Sequence, residues 1–377
     1  MRAALAALLV LLIAGAALMV ACAAPNPLAR RPASPHPSPS APADARAFIP
    51  VAEKFVEDHR GLKFRHPVDV TFLSDSDFKA RVTTRTDKDR ADLNTEFKDL
   101  RALHLVSPGL DIIKAEDALL GSGVVGFYDP KTKQLVVRGT DASPATRHVL
   151  VHELTHALQD QYFPLDALDS DNEDERPVAW RAMIEGDAVT VENEYIATLT
   201  AAEKKQLASG PGGAPPPDVP TVMIELLSFP YAVGPRFVDA VENARGGTSG
   251  LDSAYREPPR TSTEVIHPDR FLNGFTAAEV PAPAADAAEF DHGMLGEMGL
   301  SLILERLRTL STTDVRDLAQ GWRGDRYVAW DAGSQSCIRS AWVEDTPVHS
   351  AKLAAAFAGI QGAVIAGSGP VVLTLCG

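Results

Sequence analysis

His152, Glu153 and His156 form a His-Glu-x-x-His motif, whose residue types and spacing suit metal binding and the activation of water. Two histidines four residues apart lie one above the other on one face of a helix, so both imidazoles can reach the same ion. Glu153 lies beside that face, where its carboxylate can take a proton from an attacking water. The motif therefore predicts a zinc site with Glu153 as general base. The alternative is a helix that carries two histidines by accident.

The sequence around the motif predicts the helix that must hold it. Ser143 is a good N-cap, Pro144 is a good first helical residue, and Pro164 stops the helix about twenty residues later. Just before this helix, residues 123–128 and 134–138 predict a β-hairpin. An exposed edge of such a hairpin can pair with an extended peptide through main-chain hydrogen bonds.

Helical and strand-like patterns continue along the rest of the chain. They predict helices near residues 52–59, 75–105, 177–196, 221–229, 237–243, 293–310 and 347–360, and strands at 68–73, 326–331, 336–344 and 371–375. A breaker-rich stretch at 210–220 indicates a flexible loop or a boundary.

The N-terminal residues predict export from the cytoplasm. A positive start is followed by an unbroken apolar run from Ala3 to Ala24, which is typical of a signal peptide, residues 1–24. Met19-Val-Ala-Cys22 resembles a bacterial lipobox, in which Cys22 is lipidated; simple cleavage after Ala23 and an uncleaved anchor are the alternatives. Residues 25–46, rich in proline, alanine and serine, predict a disordered tether. We therefore expect a membrane-anchored protein on the extracytoplasmic side, with secretion as the alternative.

Composition narrows the range of partners. The formal net charge of −14 and the lack of a basic stripe argue against nucleic acid as a partner. The acidic run from Asp166 to Glu175 predicts a solvated loop, with calcium binding as the minority alternative.

Cys337 and Cys376 form an even pair in an exported protein, which predicts a disulfide; two buried free thiols are the alternative.

Two segments resemble the gluzincins, a group of zinc metallopeptidases. They are His-Glu-Leu-Thr-His-Ala-Leu-Gln-Asp-Gln at 152–161 and Glu-Gly-Asp-Ala at 185–188. The chain is most similar to small exported bacterial neutral zinc metallopeptidases, closely over 123–188 and more loosely at 258–268 and 321–327. The resemblance implies an α+β fold with a zincin-like catalytic core at 47–208, in which a short mixed sheet packs on two metal-binding helices. A mostly helical region with a small β element, 221–377, would complete the cleft.

The family pattern implies Glu185 as the third zinc ligand. Glu192 and Glu194 on the same helix are the competitors, and Glu192 shares the face of Glu185. We favour Glu185 because the adjacent Gly186 would let the histidine helix approach closely. Many gluzincins also have an aspartate three or four residues after the ligand, but here those positions are alanine and valine. The support of the histidines is therefore unassigned, with Asp187 a weak candidate.

These inferences predict a membrane-tethered zinc endopeptidase in which His152, His156 and Glu185 bind Zn²⁺ and a peptide or protein is the substrate. The segment 255–268 contains three candidate hydrogen-bond donors to the oxyanion, Tyr255, Arg260 and His267, and we expect His267 to act. A surface loop is the alternative there. A lipid-anchored scaffold with a structural or lost metal, and a zinc hydrolase of non-peptide envelope amides, are the alternatives for the whole chain.

Overall fold

A computed structural model of the chain describes residues 44–167, 175–209, 216–306, 310–366 and 369–377. The expected signal peptide with Cys22, the tether up to residue 43 and residues 168–174 of the acidic run lie outside the described residues. Within the described ranges, no helix is both long enough and apolar enough to cross a bilayer.

The fold is α+β, with helices surrounding two separate sheets. The helices are α1 (Ile49–Arg60), α2 (Asp75–Thr83), α3 (Asp87–Ala102), α4 (Ile112–Gly123), α5 (Pro144–Asp160), α6 (Arg176–Thr198), α7 (Ala201–Ala208), α8 (Thr221–Arg245), α9 (Thr248–Arg256), α10 (Ser262–Ile266), α11 (Pro268–Leu272), α12 (Gly296–Glu305), α13 (Thr312–Gln320) and α14 (Pro347–Ala358). The strands are β1 (Asp69–Leu73), β2 (Gly126–Asp129), β3 (Gln134–Arg138), β4 (Glu289–Gly293), β5 (Trp322–Ala332), β6 (Gln335–Glu344), β7 (Val364–Ala366) and β8 (Val371–Cys376).

The first sheet confirms the predicted hairpin and supports the histidine helix. Its strand order is β1-β3-β2, with β1 parallel and β2 antiparallel to β3, so β2 lies at one edge. Apolar residues of α5, including Leu150, Val151 and Leu154, pack in one cluster with Leu135 and Val137 of β3. The sheet therefore fixes the position of the helix through its buried apolar face.

The second sheet is larger than the small β element that the sequence predicts. It is antiparallel throughout, with strand order β4-β5-β6-β8-β7. The predicted helix over 293–310 is wrong at its start, because residues Glu289–Gly293 pair with β5 instead. The carboxylate of Asp325 then accepts hydrogen bonds from the backbone N–H groups of Leu295 (2.8 Å) and Gly296 (2.9 Å), so α12 begins only after the strand.

Helix α8 corrects a second prediction. The sequence predicts two helices on either side of Pro230 and Pro235, but the structure has one continuous helix, Thr221–Arg245. Proline inside a helix removes one backbone hydrogen bond and usually kinks or breaks it. Here the segment between the prolines packs closely on α6, because Gly234 lies directly against Gly186. This packing favours continuation of the helix where local sequence favours a break.

The described fold begins slightly before the expected end of the tether. The backbone N–H of Ala45 donates to the carbonyl of Thr140 (2.9 Å), just ahead of the histidine helix.

A hydrophobic cluster joins the expected core, 47–208, to the C-terminal region, 221–377. It contains Phe78 of α2, Met223 of α8 and Trp342 of β6. The regions on both sides of 208–221 therefore share a core.

Candidate metal centre

Helix α5 carries the His-Glu-x-x-His motif and begins and ends close to the predicted residues. The Ser143 hydroxyl accepts a hydrogen bond from the backbone N–H of Thr146 (3.3 Å), and Pro144 is the first helical residue. His152, Glu153 and His156 are all fully buried. The motif therefore lies inside the protein, where unpaired polar groups are costly.

The structure brings His152, His156 and Glu185 together. The Nε2 atoms of the two histidines are 3.0 Å apart, and each lies 3.2 Å from Oε2 of Glu185. Glu185 is also fully buried. Three donor atoms on two helices thus converge on one point.

The outer contacts of the two imidazoles determine which nitrogen faces this point as an acceptor. Nδ1 of His152 lies 2.9 Å from a carboxylate oxygen of Glu192, and Nδ1 of His156 lies 2.8 Å from the amide oxygen of Gln159. The Gln159 amide is oriented by its own nitrogen, which donates to the Ile184 carbonyl (3.2 Å) and to Asp187 (2.9 Å). Both Nδ1 atoms must then carry a hydrogen, so in the neutral imidazoles the Nε2 atoms are the ones whose lone pairs face the Glu185 carboxylate.

Three lone-pair donors 3.0–3.2 Å apart repel one another unless a cation, either a proton or a metal ion, lies between them. Tetrahedral zinc ligands at about 2.0–2.1 Å from the ion are about 3.3–3.4 Å from each other. The observed separations are close to this value, and two imidazoles with one carboxylate are a donor set that zinc accepts. The residues present therefore fit the ion that the motif implies.

Asp187 supports the site indirectly, through Gln159. One of its carboxylate oxygens accepts hydrogen bonds from Arg60 Nε (2.8 Å), from Gln159 (2.9 Å) and from the Tyr255 hydroxyl (2.8 Å). Arg60 and Asp187 are almost completely buried, at 1% and 2% exposed. The weak candidate of the sequence therefore orients the partner of His156, and it brings α1, α5, α6 and α9 together at the site.

Glu192 has the equivalent position behind His152. Its second carboxylate oxygen lies 2.6 Å from Nδ1 of His148, one helical turn before His152. Although burial raises the pKa of Glu192, hydrogen bonds from His148 and His152 lower it to about 2. Glu192 is therefore an ionised carboxylate that holds the outer nitrogen of a histidine, and it is absent from the converging donor group, as is Glu194 among the described residues.

Glu153 is held at one oxygen and is open at the other. Oε2 accepts a hydrogen bond from the backbone N–H of Tyr128 in edge strand β2 (2.8 Å). Oε1 is buried and has no hydrogen-bond partner within the described ranges. Burial and, to a lesser degree, the negative charge of Glu185 raise its pKa well above the ordinary value, against the opposing effect of His152. A buried carboxyl with one free oxygen is well suited to proton transfer.

Strand β2 can approach Glu153 this closely because residue 126 is a glycine. A Cβ at Gly126 would lie 2.8 Å from a methyl carbon of Val149 and 3.8 Å from the Glu153 side chain. The edge of the first sheet therefore runs directly along the part of the histidine helix that carries Val149 and Glu153.

The structure corrects the role that the sequence analysis gives to Gly186. A Cβ on Gly186 would lie 2.3 Å from the backbone carbon of Gly234, so this glycine makes room for α8 and not for the histidine helix. The same crossing places the Tyr231 ring beside His152, with ring centroids 6.2 Å apart and the rings nearly parallel. Sequence reasoning missed Tyr231, since α8 is distant in sequence and no motif marks it.

The three candidate oxyanion donors are placed differently. Nε2 of His267 lies 2.8 Å from Glu297 of α12, and none of the contacts described for its ring reaches the two histidines or Glu185. The backbone N–H of Arg260 donates to Glu264 (2.8 Å). Tyr255 is buried, and its hydroxyl donates a hydrogen bond to Asp187 on α6. The choice of His267 stays a prediction.

Cys337 of β6 and Cys376 of β8 are register partners in the second sheet. Their sulfurs are joined in a disulfide, and their Cα atoms are 4.0 Å apart. This pairing is the one that the sequence predicts.

Comparison with known proteins adds one match. A family model described as a domain of unknown function (DUF8575) matches residues 284–371, a segment that contains strands β4–β7 of the second sheet and helices α12–α14 but none of the converging donor residues. No curated protein and no solved structure matches the chain.

Proposed function

We propose that the chain is a zinc-dependent endopeptidase of gluzincin type, tethered to the membrane on the extracytoplasmic side. The observation that carries this proposal is the convergence of His152, His156 and Glu185 beside the half-satisfied carboxyl of Glu153. A purely structural zinc site is closed by four protein ligands, whereas a catalytic site keeps a position open. Three donors next to a proton acceptor favour the catalytic interpretation.

His152 and His156 would bind the ion through Nε2, and Glu185 would bind it through Oε2. Zinc held there would supply Lewis acidity, lowering the pKa of a water molecule and polarising a carbonyl group. Glu153 Oε1 is the free base that takes the proton of the attacking water and later delivers it to the leaving amine. The Tyr128 N–H holds Oε2 and so keeps Oε1 directed away from the strand.

A peptide substrate is favoured by the edge strand next to the base. In β2 the N–H and C=O groups of Gly126 and Tyr128 point away from β3, as the register with β3 requires. The Tyr128 N–H is used by Glu153, but an edge of this kind can still align an extended chain. An extended peptide on this edge would place its scissile bond near Glu153.

Hydrolysis through a tetrahedral intermediate also needs a hydrogen-bond donor to the oxyanion. His267 remains our first candidate, and the position of Tyr231 beside His152 makes it a second one. A hydrogen-bond donor in this role contributes on the order of 3 kcal/mol to transition-state stability. His267→Ala should therefore lower kcat by about a hundredfold without loss of zinc, and Tyr231→Phe should do so if the tyrosine is the donor.

The proposed location on the extracytoplasmic side of the membrane rests on residues 1–43 and on the disulfide. Cys22 would carry the lipid anchor, and an exported protein can keep the Cys337–Cys376 bond oxidised. Labelling with a radioactive fatty acid should mark the wild type and not Cys22→Ala; labelling that persists in the variant would exclude the lipobox.

Zinc content and hydrolysis of a mixed peptide pool by the purified protein test the proposed activity. We expect bound zinc, cleavage of internal peptide bonds, loss of cleavage with a chelator and its return with zinc. A scaffold protein would bind zinc without cleaving anything. An envelope amidase would leave casein and the peptide pool intact but hydrolyse a non-peptide amide.

A further inference from the structure

A second group of metal-ligand side chains lies in the C-terminal sheet region, remote in sequence from the His-Glu-x-x-His motif. Glu344 ends β6, Asp345 follows it, and His349 lies in the first turn of α14. One donor atom from each lies within 4.8 Å of the other two. The group forms where a strand end meets a helix start.

Gly321, between α13 and β5, lies directly against all three side chains of this group. A Cβ on Gly321 would lie 2.4 Å from Glu344 Oε2, 2.6 Å from His349 Nδ1 and 3.2 Å from Asp345 Oδ1. Three donor atoms of three different side chains therefore converge on one side of Gly321, where a larger residue would displace them. The backbone carbonyl of Gly321 accepts a hydrogen bond from Asp345 N–H (2.8 Å), which fixes the two segments together.

Glu344 gives the independent reason to expect a ligand at this point. The residue is only 7% exposed, and both of its carboxylate oxygens are buried without a hydrogen-bond partner among the described residues. A buried polar group without a partner is destabilising, and an unpaired buried carboxylate is more so. A cation bound by this group would satisfy it.

His349 is arranged as a metal-binding histidine commonly is. Its Nδ1 faces the group and lies 2.6 Å from Asp345 Oδ1, while Nε2 lies 3.5 Å from a carboxylate oxygen of Asp317 in α13. The same oxygen of Asp317 is 3.1 Å from Lys352 Nζ. The negative charge of Asp317 behind the outer nitrogen favours the inner nitrogen as a metal donor.

We propose that Glu344, Asp345 and His349 bind a divalent metal ion of the zinc type, which joins the end of β6 to the start of α14. The imidazole favours zinc over calcium, since calcium sites use oxygen ligands. With three ligands from one short stretch and part of the group exposed to solvent, water would complete the coordination. Binding of this ion would hold the two segments together, and it does not depend on the proposed peptidase activity.

Zinc stoichiometry of the purified full chain tests this site separately from the first. In a His152→Ala/His156→Ala variant, one equivalent of zinc should remain and should raise the melting temperature. Adding Glu344→Gln to that variant should abolish both effects. Absence of zinc from the double variant, or zinc that persists after Glu344→Gln, would overturn the proposal.

Two further variants protect the test against misfolding. Asp345→Asn changes a side chain that is 42% exposed, so the fold should tolerate it while the second zinc is lost or bound at least tenfold more weakly. Gly321→Ala keeps every ligand but displaces them, and it should also remove that zinc. His292→Ala, at a half-exposed histidine of β4, is the matched control and should keep it. Equal zinc content in Asp345→Asn, Gly321→Ala and His292→Ala would contradict the site.

Discussion

His152 and His156 of the converging donor group are oriented by different chemical groups, a carboxylate for His152 and an amide for His156. The aspartate that gluzincins often place three or four residues after the ligand is absent here, where Ala188 and Val189 stand. Glu192, about one helical turn further along, takes the position behind His152. Glu192 therefore replaces the missing aspartate as the carboxylate that holds the outer nitrogen of His152.

Different losses of zinc affinity are expected for the two glutamates of α6. Glu185→Ala removes a ligand and should abolish tight zinc binding at this site. Glu192→Gln removes only the charge behind His152 and should weaken binding by about 10–100-fold. Chelator competition measures both, with Glu194→Gln as the control that should match wild type. A larger loss in Glu192→Gln than in Glu185→Ala would make Glu192 the ligand.

Zinc binding at neutral pH should release protons from the metal-free protein. Burial lowers the pKa of His152, but its hydrogen bonds with Glu185 and Glu192 outweigh this and raise the pKa well above the ordinary value. The metal-free imidazole is therefore protonated at pH 7 and must lose its proton when Nε2 binds the ion. Zinc affinity consequently falls as the pH is lowered.

Calorimetric titration in buffers with different ionisation enthalpies measures this release. The observed binding enthalpy should change linearly with the buffer's ionisation enthalpy, with a slope of about one proton or more. Enthalpies that are independent of the buffer would show that His152 is already neutral.

The sequence predicts the inner residues of the site better than the outer ones. His152, Glu153 and His156 follow from the spacing on one helix, and Glu185 follows from the family pattern. Gln159 lies inside the segment 152–161, but it is oriented toward His156 by Asp187 and Ile184, which only the packing of α6 brings near. Tyr231 and Arg60 reach the site from helices far away in sequence, so local patterns carry no signal for them.

At the scale of elements, the crossing of α6 and α8 determines the shape of the site. Gly186 of α6 and Gly234 of α8 let the two backbones meet. This contact fixes the position of α6, which carries Glu185, and places Tyr231 of α8 beside His152. A side chain at this crossing has no space to occupy. The glycine pair is therefore a structural requirement of the metal centre.

Substitution of one glycine tests the crossing. A Cβ at Gly234 would lie 2.1 Å from the backbone carbonyl oxygen of Ala182, so Gly234→Ala should destabilise the protein by about 1–3 kcal/mol and weaken zinc binding. Gly121→Ala in α4 is the matched control, because no atom lies within 4 Å of its added Cβ. That control should be neutral or more stable by up to about 1 kcal/mol. Equal stability of the two variants in denaturant titration would refute the tight crossing.

Local signals explain which elements the sequence predicts. Ser143 and Pro144 begin the histidine helix, and the hairpin before it has a turn flanked by strand-like residues. Pro230 and Pro235 predict a helix break that the structure lacks, because tertiary packing of α8 overrides the local preference. Strand β4 is missed because its residues, Glu289–Gly293, are mostly polar and do not alternate between buried and exposed; its pairing with β5 places them in the sheet.

At the scale of the molecule, the Cys337–Cys376 bond fastens the last strand to the centre of the second sheet. The two residues are 39 positions apart, and on the loop-entropy model such a bond stabilises the fold by about 3–4 kcal/mol. The protein unfolded without reductant should therefore show no labelling of either cysteine. Cys337→Ser/Cys376→Ser should have a lower free energy of unfolding by that amount, and labelling of both thiols in the wild type would exclude the bond.

The proposed reaction requires Glu153 to act as the base in a zinc peptidase. Glu153→Gln keeps the size of the side chain and leaves the two histidines and Glu185 in place, so it separates metal binding from proton transfer. Zinc content and cleavage of a mixed peptide pool are the quantities to measure, with Glu194→Gln as the matched control on α6. We predict wild-type zinc content and a fall in kcat/KM of about 10²–10⁴-fold for Glu153→Gln, with the control unchanged. Cleavage within tenfold of wild type at full zinc content would contradict the mechanism.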